Sequence, residues 1–309
     1  MPDRDIVIVG AGAAGLSAAL FAAMEEMNVL VIEELASGGQ QLLVEAVSNY
    51  PGSGRVPGYE LSQRMEEQAV AAGASITNGT VTGIRPLGDH FELTTAKEPA
   101  TASAVILCSG TEKRPLGVPG EAELLGKGVS SCAACDGPLF RGKRIVVVGG
   151  GDAACDEAVF LASLSDRILL VNRQESFRAQ AALVRRVTET RALEVRHETE
   201  ILEILGSGKV TGVGLRDRSS GRSYTEPADA VFVFAGSFPR KPPVAGLRTD
   251  EGGYVVTDQR MATGIAGLFA AGAVRASPFR QCIVAAGEGA VAGHAAASYV
   301  RSLRRRGER

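Results

Sequence analysis

The chain has 309 residues, 45% hydrophobic and 22% charged, which suits one large domain or two of ordinary size around a packed core. A formal net charge of −2 leaves no basic footprint for nucleic acid, and the basic stretch at 301–309 reads as a solvated helix end. No uninterrupted apolar run of about 20 residues occurs, so no membrane partner is expected.

Residues 6–24, IVIVGAGAAGLSAALFAAM, are apolar enough to resemble an export leader. Asp3 and Asp5 stand before the run against a single arginine, so no leader is expected and the cytoplasm is the expected compartment. The same stretch predicts a strand, a glycine turn and a helix, with Gly10, Gly12 and Gly15 in G-x-G-x-x-G order. A second strand, NVLVIEE, carries Glu33, 23 residues after Gly10, where an acid can accept a ribose hydroxyl. Glycines at these places let the backbone close on a pyrophosphate at a helix N-terminus, where free N–H groups favour anions.

The arrangement repeats at 144–163, RIVVVGGGDAACDEAVFLAS, with Gly149, Gly151 and Ala154 in G-x-G-x-x-A order. The following strand, RILLVNR, has Asn172 where the first unit has its acid; Arg173 is next and Arg178 further on. Arginine in this place suits a 2′-phosphate and predicts NADP(H). Two Pro- and Gly-rich stretches, TEKRPLGVPGE at 111–121 and GSFPRKPPVAG at 236–246, flank the middle third. The predicted fold is α/β, with two Rossmann-like nucleotide-binding domains, the second inserted into the first. The expected boundaries are 1–114, 115–241 and 242–309, the two linkers acting as a hinge.

Five cysteines, Cys108, Cys132, Cys135, Cys155 and Cys282, make an odd count, and only CAACD at 132–136 holds a close pair. A structural zinc needs four ligands, and neither the other cysteines nor His90, His197 and His294 supply a second pair. A passive staple is disfavoured in a reducing cytoplasm. The favoured reading is a redox pair: at the start of a helical turn one thiolate is stabilised, and Asp136 can exchange a proton with the thiols. No metal is expected, and Cys108, Cys155 and Cys282 read as packing residues.

These motifs, with GGQQ at 38–41, SNYPG at 48–52, FRA at 177–179 and RQCIVAAGEGA at 280–290, resemble the small thioredoxin reductase family essentially end to end. The resemblance implies FAD in the outer domain, held by Gly10, Gly12, Gly15, Glu33, Gly39, Gln40, Gln41, Asn49, Gly272, Arg280 and Gln281. It implies NADPH on Gly149, Gly151, Ala154, Arg173 and Arg178. Cys135 would face the flavin, Cys132 would attack a thioredoxin-like disulfide, Asp136 would be the acid, and the protein would be a homodimer. Three positions depart from the family. Asn172-Arg173-Gln174 replaces His-Arg-Arg, Ala273 replaces an aspartate, and Arg240 replaces an asparagine. The thinned arginine cluster leaves as alternatives a dithiol oxidase or a ferredoxin-linked relative that uses little NADPH. Ala273 leaves a nucleotide-binding redox sensor.

Overall fold

The computed structural model describes residues 2–96 and 98–307, and the chain forms two compact units, Met1–Glu112 with Phe238–Arg309, and Lys113–Ser237. The chain crosses between them two and four residues before the expected boundaries at 114 and 241.

The first unit opens with β1 (Arg4–Val9), α1 (Ala13–Met24), β2 (Val29–Glu33), α2 (Gly58–Ala71), β3 (Ser75–Asn78), β4 (Val81–Leu87), β5 (His90–Thr95) and β6 (Ala100–Leu107). The chain leaves through β7 (Thr111–Lys113). Strands β3, β2, β1 and β6 are parallel neighbours, and β5 and β4 extend the sheet antiparallel beyond β6. A parallel sheet covered on both faces calls for unbroken apolar strands. In β1, Ile6 and Ile8 accordingly join one core while Val7 and Val9 join the other.

The second unit contains β8 (Val129–Ser130), α3 (Ala133–Asp136), β9 (Ile145–Val148), α4 (Asp152–Ala162), β10 (Ile168–Val171), α5 (Ala181–Glu189) and β11 (Leu193–Arg196). It continues with β12 (Thr199–Gly206), β13 (Val210–Asp217), β14 (Ser223–Pro227) and β15 (Ala230–Val233). Its parallel sheet runs β11-β10-β9-β15-β8, and β12-β13-β14 form a separate antiparallel sheet. The chain leaves through β16 (Ser237–Pro239), which pairs with β7, so the two crossings are tied side by side.

Back in the first unit, β17 (Leu268–Ala270) pairs with residues 105–107 of β6, on the half that β5 leaves free. The helix α6 (Cys282–Gly307) then packs along α1. The two helices meet through small residues: a Cβ on Gly289 or Gly293 would overlap the carbonyl oxygen of Ala14 or Ala18. Gly289→Ala is therefore expected to destabilise by about 1–3 kcal/mol, the usual cost of overpacking. The control is Gly287→Ala, where an added Cβ meets nothing within 4 Å and helix propensity favours alanine. Thermal unfolding should show a lower midpoint for the first variant only.

Candidate functional site

In each glycine loop the three positions are glycine, or alanine, for different reasons. At Gly10, with φ +100°, a Cβ would lie 2.6 Å from the Cys108 carbonyl oxygen, and one on Gly15 would overlap Gly10 itself. Gly12 is different: a Cβ there meets only the Gly38 oxygen at 4.0 Å, so the chain's own packing does not require glycine. What a side chain would fill is the space in front of the α1 N-terminus, where Gly12 is an N-cap with no side-chain cap. The second loop repeats this. Gly149, at φ +148°, would press on Phe234 and Ala154, while a Cβ on Gly151 meets nothing within 4 Å. Both loops therefore keep an open, amide-lined cradle that fits a dinucleotide pyrophosphate.

The structure places Glu33, Gly39 and Gly272 against the first loop and the start of α1, while Gln40, Gln41, Asn49, Arg280 and Gln281 are held by partners outside the loop. Glu33, at the end of β2, accepts the Ala11 N–H at 2.7 Å and the Leu35 N–H at 3.1 Å, which orients its carboxylate beside the loop. Gly38 donates to Ala11 O at 2.8 Å, so the turn leading into Gly39–Leu43 lies against the loop. Gln40 Nε2 donates to Thr111 Oγ1 at 3.0 Å, and Asn49 Nδ2 to Gln281 Oε1 at 3.0 Å. Gln41 is buried; its amide donates to Gly58 O at 3.4 Å and accepts the Cys282 thiol at 2.9 Å. Arg280 is exposed, with its guanidinium over the Tyr254 ring at 3.8 Å.

Two departures from the family acquire a physical setting here. Beside Ala273, Gly272 (φ +77°) donates its N–H to Glu288 at 2.8 Å, and the Glu288 carboxylate is ion-paired with Arg275. A buried carboxylate thus adjoins this turn, supplied by α6 rather than by position 273. Arg240 pairs with Glu34 and with Glu112, the latter at 3.0 Å, fastening the returning linker to the residue after β2 and to the middle of β7.

In the second unit Asn172 is buried beneath the glycine loop. Its Nδ2 reaches Ser176 O at 2.9 Å and His197 Nδ1 at 3.1 Å, and its Oδ1 accepts the Gln174 N–H at 3.2 Å. The segment 172–178 is folded back so that Arg178 N donates to Gly150 O at 2.7 Å. Arg173 and Arg178 are both exposed, and among the described residues neither guanidinium is paired with a carboxylate.

Cys132 and Cys135 form a disulfide, with Cα atoms 5.3 Å apart. The pair hangs from β8, whose Ser130 is pinned opposite Phe232 of β15. Cys132 is the N-cap of α3, and its Sγ accepts the Cys135 N–H at 3.2 Å, which favours negative charge on that sulfur once the pair is reduced. Ser130 Oγ accepts the Cys132 N–H at 3.0 Å and donates to Asp136 Oδ2 at 2.6 Å, holding the acid on the same turn as the sulfurs. Lys113, whose pKa burial lowers, donates its ammonium to Ser131 O and so ties β7 to the redox turn. Sequence reasoning missed Ser130 and Lys113; the serine two residues before Cys132 was the one local signal. Cys108, Cys155 and Cys282 are free thiols. Burial raises all three, with Cys155 and Cys282 pushed up to about 11, which makes them poor nucleophiles at neutral pH. Among the described residues no cluster of His, Cys, Asp or Glu is placed to hold a metal ion.

Two dinucleotide cradles and one dithiol pair beside an acid define a flavoprotein disulfide reductase. The chain belongs to the pyridine nucleotide-disulphide oxidoreductase family, whose model matches residues 4–289. It is 46% identical over 302 residues to the thioredoxin reductase of Treponema pallidum, covering 97% of this chain and 98% of that one. Among solved structures, Lactococcus lactis thioredoxin reductase superposes with a TM-score of 0.95 at 35% identity, covering 97% of this chain and all of that one. T. acidophilum thioredoxin reductase gives 0.92 at 34%, covering 98% of this chain and all of that one. The expected fold class, FAD and NADPH as cofactors, and the disulfide reductase activity follow from these likenesses; the oxidase or ferredoxin-linked alternative is not favoured.

Proposed function

We propose that the chain reduces the disulfide of a thioredoxin-like protein, drawing electrons from NADPH through FAD and the Cys132–Cys135 pair. The observation that carries the proposal is the disulfide at the N-cap of α3, with Ser130 holding Asp136 beside it. Gly10, Gly12, Gly15 and Glu33 would hold the adenosine diphosphate half of FAD. Gly39, Gln40, Gln41, Asn49, Gly272, Arg280 and Gln281 would surround the remainder directly or through one neighbour. Gly149, Gly151 and Ala154 would receive the NADPH pyrophosphate, and Arg173 and Arg178 its 2′-phosphate. The chemistry that FAD would supply when bound is two-electron transfer between the nicotinamide and the disulfide.

The chain's own residues govern the exchange that follows. Cys132, stabilised as a thiolate by the Cys135 N–H, attacks the partner disulfide and expels one partner thiolate. Cys135 then attacks Cys132 Sγ, which re-forms the internal disulfide and releases the second thiolate. Asp136 supplies and recovers the proton. A homodimer is the assembly proposed, supported by Phe21 and Met24, exposed one turn apart on α1. No helix among the described residues is long and apolar enough to cross a membrane. The cytoplasm is the proposed compartment, supported by three cysteines kept as thiols.

Anaerobic addition of NADPH to the FAD-loaded protein tests the reading. Rapid loss of the oxidised flavin absorbance is expected, followed by its return when oxidised thioredoxin is added. A flavin that stays oxidised under NADPH would remove the nicotinamide nucleotide from the scheme. A flavin that bleaches but is not reoxidised by thioredoxin would remove the partner.

A further inference from the structure

We infer that Arg218 is a second cation for the NADP(H) 2′-phosphate and so takes the role of the arginine that Gln174 lacks; the inference rests on the NADPH reading above. Arg218 begins the tip between β13 and β14, 45 residues from Arg173, and its Nη1 donates to the Arg173 carbonyl oxygen at 2.8 Å. That bond brings a guanidinium from the antiparallel sheet to the end of β10, where the sequence motif had lost one. One N–H is used, and the rest of the fork remains for an anion.

The corner is built rather than incidental. Arg218 N donates to Glu198 O at 2.7 Å, and Glu198 N donates to Gln174 O at 3.1 Å. Glu198 itself sits at φ +48°, a left-handed conformation that non-glycine residues adopt rarely. The tip is held in turn by Asp217, whose Oδ1 accepts the N–H groups of Ser219 at 2.9 Å and Ser220 at 3.0 Å. Three exposed arginines, Arg173, Arg178 and Arg218, therefore share a corner in which none is paired with a carboxylate among the described residues. Among the described residues the carboxylates of the corner's own acids, Glu175 and Glu198, form no ion pair with these guanidinia; Glu198 meets Arg218 through its backbone oxygen alone. Uncompensated guanidinia held next to a glycine loop suit a phosphate dianion, which accepts forked hydrogen bonds.

Calorimetric titration of the FAD-loaded protein with NADP⁺ and, separately, NAD⁺ tests this without turnover. Arg218→Ala should weaken NADP⁺ by about 5- to 20-fold and NAD⁺ by less than about twofold, the size of one charge-assisted contact at a solvated site. Arg218→Lys should fall between, because an ammonium keeps the charge without the fork. Adding Gln174→Arg to the Arg218→Ala protein should restore NADP⁺ binding by returning a cation to the end of β10. An Arg218→Ala protein that binds NADP⁺ as tightly as the parent overturns the inference. So does one that loses NADP⁺ and NAD⁺ equally, which would mark a collapsed corner. A parent that binds the two nucleotides equally overturns the NADPH reading and this inference with it.

Discussion

Cys132→Ser and Cys135→Ser should each lower the reduction of a thioredoxin disulfide by at least about a thousandfold, because a dithiol relay loses its cycle with either sulfur. The two failures should differ in kind. Without Cys132 no thiolate attacks, and no covalent adduct forms. Without Cys135 the attack still occurs, but nothing resolves the mixed disulfide, so the partner stays attached to Cys132. Non-reducing electrophoresis after mixing with oxidised thioredoxin reads this directly. FAD should remain bound in both variants, because the first glycine loop and Glu33 belong to one compact unit and both cysteines to the other. Near-normal turnover by either variant would sink the relay. An adduct on Cys135 instead of Cys132 would exchange the roles of the two sulfurs.

The parts legible in the sequence are those whose physics is local. Parallel strands buried on both faces must be apolar throughout, so IVIV, AVIL, IVVV and ILLV announce themselves, and glycine loops follow directly from β1 and β9. The dithiol pair is legible for the same reason: its two sulfurs and its acid fall within 132–136, although the serine that holds the acid, Ser130, was not read from the sequence. What stays hidden depends on contacts between distant segments. Residues 199–227 alternate weakly and carry bulges, so the antiparallel sheet β12-β13-β14 has no clear period. Asn172 looks like a lost ribose acid, whereas its side chain is spent on Ser176, His197 and Gln174 beneath the loop. Arg240 looks like a lost asparagine, yet it pairs with Glu34 and Glu112 from two other stretches. Gln41 stands beside Gln40 in a motif, but burial sends its amide to Gly58 and Cys282, and no spacing rule foretells a bond across 241 residues.

Asp136→Asn should slow electron transfer to the partner by about 100- to 1,000-fold, within the range usual for removing a general acid. Asparagine keeps the size of the side chain and can still accept the Ser130 hydroxyl, whose present partner is Asp136 Oδ2 at 2.6 Å. It cannot hand over or recover a proton. The loss should therefore be chemical, with the turn 130–136 and the disulfide intact. Because the acid acts on sulfur, bleaching of the flavin by NADPH should keep the parent rate, and only reoxidation by thioredoxin should slow. Ser130→Ala provides the graded comparison. It leaves the carboxylate in place but frees it from the hydroxyl and removes the acceptor for the Cys132 N–H, so a smaller loss of about 5- to 30-fold is expected, the size of one to two hydrogen bonds. Stopped-flow measurement of the two half-reactions separates these cases. If Asp136→Asn slows both halves alike, the carboxylate supports the turn as structure. If it slows neither, the proton comes from solvent and Asp136 loses its assigned role.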